Sequence, residues 1–504
     1  MDVKQLKQDV REGRIKLDRL VDLIGMLQGQ LINANQQLEE ANQRIRELEE
    51  KLGQSPTTKL DEAFSTKAEE KRQARGRQPK KKKSKPRGRG RLRTADKLKL
   101  AGDEENVFPE DIDPEQCWFS HSRPVWRLKE GRAVLVAYHI YRGPGNRYGK
   151  IPGVFGRSEF GAEIVLAIAY QVYLVGLSFD KVCLLMNFFQ DLPLRKSQVD
   201  ALLNRLARHW ESEFDRLCAL LANSAVVHAD ETSWSIHSVW AFLSEKVRVF
   251  FFGVHKDAET LKEILDPDTF AGIVISDDAA VYANFTQSQK CWAHLLRKAI
   301  KLTLVEPGNA EYRRLTDRLL EIYRAACRIQ ADGRLRDAGR TRKVAELDDE
   351  ILELCGPVWV AELPPSEGPE NDYRLLANEL MRLMLAEQLF TFVTAPAVAK
   401  PDGEMMAVSG TNNEAERALR DAATARKTGR TNKSARGARR QSVLTSMLES
   451  LRLHLSSFTL SNVIEEIERW SIHGRSCFED LMRKLKLRPP EQSILETLLP
   501  LPSR

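Results

Sequence analysis

Two stretches decide the fold: Ala225-Val226-Val227-His228-Ala229-Asp230-Glu231-Thr232, and Gly272-Ile273-Val274-Ile275-Ser276-Asp277-Asp278. Each is a short apolar, β-branched run of the buried-strand type, and each ends on acids. Between them, Ser238-Val239-Trp240-Ala241-Phe242-Leu243 and Val247-Arg248-Val249-Phe250-Phe251-Phe252 flank the polar turn Ser244-Glu245-Lys246, which predicts a hairpin. A helical pattern follows at about Ala258 to Leu265.

Strand, hairpin, helix, strand is the opening order of a ribonuclease H-like α/β core, in which carboxylates from separate strands meet at one edge of the sheet. Asp230 and Asp277 occupy the two strand ends, so a third acid is expected from a later helix. The candidate segment is Gly410-Thr411-Asn412-Asn413-Glu414-Ala415-Glu416-Arg417. Thr411 and Glu414 fit a capping box, which gives Glu414 a structural task. Glu416 lies two residues on, roughly 200° round the helix, free to face elsewhere, and is the expected third acid. The plainer readings are that Asp230 and Asp277 are turn residues and that Glu416 pairs with Arg420. Asp278 and Glu231 are the nearest competing acids.

With these residues assembled, the chain resembles the DDE transposases of bacterial insertion sequences of family sixty-six. The resemblance rests on His228-Ala229-Asp230-Glu231-Thr232, Asp277 with Tyr282 five residues later, Cys291-Trp292-Ala293-His294, and Asn412-Asn413 followed by Ala415-Glu416-Arg417. It runs from about Gly161 to Leu453. It implies catalysis by Asp230, Asp277 and Glu416, with Tyr282, His294, Asn412 and Asn413 in support. Three carboxylates are hard oxygen donors suited to Mg²⁺, with Mn²⁺ able to substitute. Two ions per site would serve phosphoryl transfer, with Asp230 bridging them. The expected activity is cleavage at transposon ends and joining to target DNA, with element-encoded accessory proteins as further partners. The rivals are a DNA-binding regulator without catalysis and a ribonuclease H-like nuclease that cuts but does not join. Family members commonly carry a cysteine-rich zinc module ahead of the core. Only Cys117 and His121 stand there, so no structural zinc is expected. Cys291 and His294 alone make half a zinc site, a weak signal, and His294 reads better as a helix N-terminal residue near the acids or the DNA.

A chain of 504 residues with 42% hydrophobic residues suggests two or three folded units plus linkers. No run of about 18 uncharged apolar residues occurs and the N-terminus lacks an apolar signal segment, which predicts a cytoplasmic, nucleoid-associated protein with no membrane partner. Seven scattered cysteines argue against a disulfide frame.

Residues 3–52 carry a heptad pattern through Val3, Leu6, Val10, Leu17, Leu20, Ile24, Leu27, Leu31, Leu38, Ile45, Leu48 and Leu52, with Gly13, Ala34 and Ala41 as weak points. This predicts a coiled coil over residues 1–53, hence a homodimer or higher oligomer; a single amphipathic helix folded on the core is the alternative. Residues 54–110 read as a disordered basic linker. Between Lys67 and Arg93 stand 14 Lys and Arg against Glu69 and Glu70, a local +12 on a chain of net +7. The positive charge is therefore concentrated on this arm, as expected for phosphate neutralisation through Lys80, Lys81, Lys82, Lys83, Arg87, Arg89 and Arg91. Lys85-Pro86-Arg87-Gly88-Arg89-Gly90-Arg91 is similar to an AT-hook, with Gly90 in place of its closing proline. A solubilising spacer is the plainer reading.

Residues 111–157 are read as a small β-containing region. Residues 158–222 are read as helical, with helices capped by Ser158 and Ser178 and a third opened by Ser197 and Asp200; a DNA-reading helix-turn-helix and simple packing helices both fit. The catalytic core is assigned to 223–305 and 405–456, a helical insertion to 306–404, and a helical tail to 457–504. After Glu416, nine basic residues, Arg417, Arg420, Arg426, Lys427, Arg430, Lys433, Arg436, Arg439 and Arg440, stand against Asp421 alone, a block expected to clamp DNA.

Overall fold

The computed structural model describes residues 92–360, 367–400 and 403–501, together with Gln36 and Gln43, which are helical. The expected seam over residues 3–52 and the basic arm as far as Arg91 otherwise lie outside the described residues. From Leu92 the chain forms α1 (Thr94–Leu98), β1 (Asp103–Val107), β2 (Trp118–Lys129), β3 (Arg132–Gly143) and β4 (Arg147–Tyr148). β1 pairs parallel with β3, while β2 and β4 pair antiparallel with it. The expectation of disorder as far as residue 110 therefore fails for this segment. Asp-Glu-Glu-Asn-Val is a polar edge strand held by its backbone, and hydrophobic periodicity cannot reveal such a strand.

Three helices follow: α2 (Ala162–Tyr173), α3 (Phe179–Gln190) and α4 (Lys196–Ala222). Ser178 caps α3 by accepting from Lys181 N. Ser158 does not cap α2: its hydroxyl accepts from Phe160 N and the helix begins after Gly161. α4 also opens earlier than expected, with Gln198 accepting from Arg195 N. Twelve residues of α4 are buried, among them Trp210, Phe214 and Leu217. At about 1.5–3 kcal/mol for each large apolar side chain, α4 is committed to the core, which favours the packing reading over a recognition helix.

The main sheet comprises β5 (Val226–Ser233), β6 (Ser238–Ser244), β7 (Arg248–Val254), β8 (Ile273–Ser276) and β9 (Ser288–Lys290), with α5 (Ala258–Ile264) between β7 and β8. Its order is β7-β6-β5-β8-β9. β5, β6 and β7 are antiparallel neighbours, and β5, β8 and β9 run parallel. The short, polar β9 carries no apolar run that would mark it in the sequence. Side chains alternate along β5: Val227 and Ala229 enter a core shared with α2, α3 and α4, whereas Val226 enters a second core with Ile275 and Trp292. Both faces of the sheet centre are thus covered.

The second face is covered by α6 (Trp292–Val305), within the segment assigned to the core, and by the helices of the segment read as an insertion, α7 (Ala310–Ala331), α8 (Asp337–Val360), α9 (Pro369–Leu385) and α10 (Thr391–Thr394), followed by a small hairpin of β10 (Val398–Ala399) and β11 (Met405–Met406). The chain returns through α11 (Asn413–Ala418), α12 (Arg420–Lys427) and α13 (Ala435–His454), and ends with α14 (Leu460–His473), α15 (Cys477–Lys484) and α16 (Ile494–Leu498). No helix among the described residues is long and apolar enough to cross a membrane.

α13 solves a problem at the sheet edge. β7 has one strand neighbour, so every second N–H points outward without a ladder partner. Ser442, Ser446 and Ser450, one helical turn apart and fully buried, accept from Phe252 N at 2.9 Å, Phe250 N at 2.8 Å and Arg248 N at 3.0 Å. Period four on the helix thus matches period two on the strand. The approach is close enough that a Cβ on Gly253, whose φ is +77°, would come within 2.9 Å of the Ala438 Cβ.

Candidate active site

Asp230 and Asp277 lie at the same level. The last registered pair between β5 and β8 is His228 with Ile275, and each aspartate is two residues further along the chain, Asp230 within β5 and Asp277 just past the end of β8. Two parallel neighbours therefore deliver two carboxylates to one edge, about 4.8 Å apart in strand spacing. Asp230 is partly buried; that burial, then Glu231, and then Asp277 and Glu416 push its carboxyl up to about 7, although the Glu231 amide donates to it at 2.9 Å. Asp277 accepts from Ala279 N at 3.1 Å, so its first role is to shape the turn after β8.

Glu416 is brought in by the buried Asn412. The Asn412 side chain donates to Ala229 O at 2.8 Å and its Oδ1 lies 3.3 Å from His228 Nδ1, while its backbone N–H points at the Cys291 sulfur at 3.1 Å. These contacts fasten the start of α11 to β5 beside Asp230. They also replace the expected capping box: Asn412 is the N-cap without a side-chain cap bond, and Thr411 bonds Ser409 instead. Glu414 turns to Arg248 at 3.5 Å and His228 at 4.0 Å. Glu416 accepts from Arg297 at 2.6 Å, with His294 Nδ1 3.5 Å from the same oxygen, so its neighbours are residues of α6 and not Arg420. The exposed Asn413 makes no contribution comparable to that of Asn412.

Around the acids stand residues whose roles the sequence did not reveal. Tyr282, fully buried, donates to Glu231, whose other oxygen takes Lys256 at 2.6 Å. Glu231 is thereby occupied, leaving Asp230 as the acid that faces Asp277. Asp278 is likewise taken by Arg382 of α9. Lys290 is a buried lysine at the end of β9: it donates to Ser276 at 3.2 Å, burial pushes its ammonium pKa down, and Asp278 and Asp277 oppose that shift. Burial also lowers the pKa of His294, with the Arg297 charge acting in the same direction.

The basic block divides in two. Arg417, Arg420, Lys427, Arg430, Lys433 and Arg436 are exposed. Arg426 is intermediate and donates to Ser233 O at 2.8 Å. Arg439 and Arg440 are buried: Arg439 makes a bidentate pair with Glu211 at 3.0 and 3.1 Å, and Arg440 pairs with Asp200 over the Phe179 ring. The expectation that these two contact phosphates is therefore corrected, because a buried guanidinium must be paired internally and both hold α13 to α4. Arg430, Lys433 and Arg436 line a cavity of about 610 Å³ between α2, α4, α12 and α13. Cys117 directly precedes β2 with its thiol donating to Asp113 O, and His121, within β2, contacts Ser120.

A family model described as Transposase IS66 family matches residues 157–440, which span α2 to the first turns of α13. No match was found among curated proteins.

Proposed function

The chain belongs to the IS66 transposase family, and from that premise we propose that it is a DDE-type enzyme. It would cut the ends of a mobile DNA element and join them to target DNA through Asp230, Asp277 and Glu416. The observation that carries this reading is the collection of acids around Asp230. Its carboxyl is raised to about 7 by burial and by acids from three separate parts of the chain, an arrangement that costs stability and is typical of sites built for chemistry. The strand order with three antiparallel members followed by two parallel ones, and an acid-bearing helix laid beside β5, support a ribonuclease H-like core.

The donor set fits a hard divalent cation: three carboxylates of which one is destabilised by its neighbours and would be relieved by a cation. Mg²⁺, or Mn²⁺ in its place, held by Asp230, Asp277 and Glu416 as two ions, would supply Lewis-acid stabilisation of charge developing at phosphorus. Glu416 must leave Arg297 to join the aspartates. Both partners of that pair are partly exposed, at 54% and 27%, so releasing it costs at most about 1 kcal/mol. Tyr282 and Lys256 keep Glu231 out of the way, and Asn412 holds Glu416 within reach. The exposed Arg417, Arg420 and Lys427 on α11 and α12, and Arg430, Lys433 and Arg436 at the cavity between α2, α4, α12 and α13, would supply cations for neutralising DNA phosphates. A regulator without catalysis and a nuclease without joining are the competing outcomes.

The test is incubation of the full chain with a duplex carrying the element's end, in Mg²⁺. Strand cleavage lost on chelation and lost in Asp277→Asn, with joined product recovered, is expected. Binding with no cleavage in Mg²⁺ or Mn²⁺ would refute catalysis, and cleavage without joined product would leave a nuclease.

A further inference from the structure

Among the described residues, one group of three His, Cys, Asp or Glu side chains brings its ligand atoms within 4.8 Å of one another: Cys291, His294 and Glu416. The fold makes this group. Cys291 follows β9 and starts α6, His294 sits in the first turn of that helix, and Glu416 arrives on α11 after the whole helical insertion. Thiolate, imidazole and carboxylate are together a donor set for a borderline cation of the Zn²⁺ or Co²⁺ kind and a poor one for Mg²⁺.

Two further observations point to a ligand here. His294 Nδ1 is buried and has no hydrogen-bond partner, though Glu416 Oε1 is 3.5 Å away. A buried ring nitrogen left unpaired costs free energy that a coordinated cation would recover. The Cys291 sulfur is meanwhile held toward the start of α11, which carries Glu416, by the Asn412 N–H at 3.1 Å. The site is open enough to fill, since the side chains of His294 and Glu416 are 33% and 27% exposed.

We propose that Cys291, His294 and Glu416 form a three-ligand site for a Zn²⁺-class cation, and that filling it withdraws Glu416 from Asp230 and Asp277 and holds the enzyme inactive. Binding displaces Arg297 from Glu416 and releases the Cys291 thiol proton to solvent. The inhibitory consequence rests on the function proposed above; the binding does not.

The experiment uses the full chain. Co²⁺ is titrated while the thiolate-to-cobalt charge-transfer absorption is followed, Zn²⁺ is used as competitor, and Mg²⁺-supported cleavage is measured over the same Zn²⁺ range. One equivalent of Co²⁺ should give the band, and Cys291→Ser should abolish it and weaken Zn²⁺ binding by at least about tenfold. Zn²⁺ inhibition should shift to correspondingly higher concentration in that variant, each protein being compared with its own zinc-free rate. His294→Gln, with a partly exposed side chain, is the second variant should Cys291→Ser melt early, and it too should lose affinity. Absence of the band, or a band that persists in both variants, would overturn the site. A band abolished in Cys291→Ser with unchanged Zn²⁺ inhibition would overturn the regulatory role. If no cleavage occurs at all, the function reading fails while the cobalt titration still decides the site.

Discussion

Replacing Asp230 by Asn should stabilise the protein while abolishing its proposed activity, and the gain should depend on pH. Asp230 binds its proton more tightly in the native chain, with its carboxyl raised from 3.8 to about 7. Its contribution to stability is therefore full below pH about 3.8 and is lost as the pH rises through about 7. About three units at about 1.4 kcal/mol each set a ceiling near 4 kcal/mol; solvent access and the shared charge of Glu231 bring this to about 2 kcal/mol. At pH 8 without divalent cation the native state carries that penalty, and Asp230→Asn removes it. At pH 5 Asp230 is protonated in the native chain but ionised in the unfolded one, so the penalty is only partly developed and the substitution should gain less than half as much. With an unfolding entropy of about 2.1 cal/mol/K per residue over about 400 residues, 2 kcal/mol corresponds to roughly 2 °C in Tm. Calorimetry at the two pH values measures it, and Mg²⁺ at pH 8 should raise the wild type more than the variant. An equal shift at both pH values, or a loss at both, would refute the view that Asp230 sits among mutually repelling carboxylates.

Ser446→Ala leaves the buried Phe250 N–H unpaired, so denaturant unfolding should show a loss of about 1–3 kcal/mol, whereas exposed Ser434→Ala should cost only a cap's worth, about 1 kcal/mol; equal small losses would mean water replaces the serine ladder. Glu416→Gln should abolish strand cleavage with DNA binding intact. Glu414→Gln weakens half-exposed interactions with Arg248 and His228 worth about 1 kcal/mol or less and should keep most activity; the reverse pattern in a cleavage assay would exchange the two assignments. Deleting residues 67–93 removes up to 14 cationic side chains and should make the slope of log affinity against log salt shallower by roughly 0.9 for each phosphate no longer neutralised, while an unchanged slope would make the arm a spacer. Leu20→Asp with Leu27→Asp should spare binding of a single DNA end but remove paired-end complexes, because it places charges in the seam proposed for residues 3–52; normal joining by this variant would move assembly to the core.

Features that depend on a few consecutive residues were legible in the sequence. The β6–β7 hairpin, α5 and β8 fall within a residue or two of their apolar runs, since alternation is a local signal, whereas β5 continues through the acids expected to stop it, as far as Ser233. Asp230 and Asp277 stand out for the same reason, as acids that directly follow apolar runs, although Asp230 lies inside β5 and not at its end. What only the tertiary structure decided are contacts between residues far apart in the chain. A capping box is expected at Thr411 and Glu414, yet Asn412 takes the N-cap position and its side chain is spent on Ala229 and His228. Charge marked Arg439 and Arg440 as phosphate ligands, yet Glu211 and Asp200 neutralise them inside the core. Ser442, Ser446 and Ser450 look like an ordinary polar helix face until β7 is laid against them. Cys291 and His294 were half a site because their partner Glu416 is supplied from beyond the insertion. A side chain's type sets which bonds it can make, but its partner is chosen by packing, and packing brings together segments whose separation no local pattern encodes.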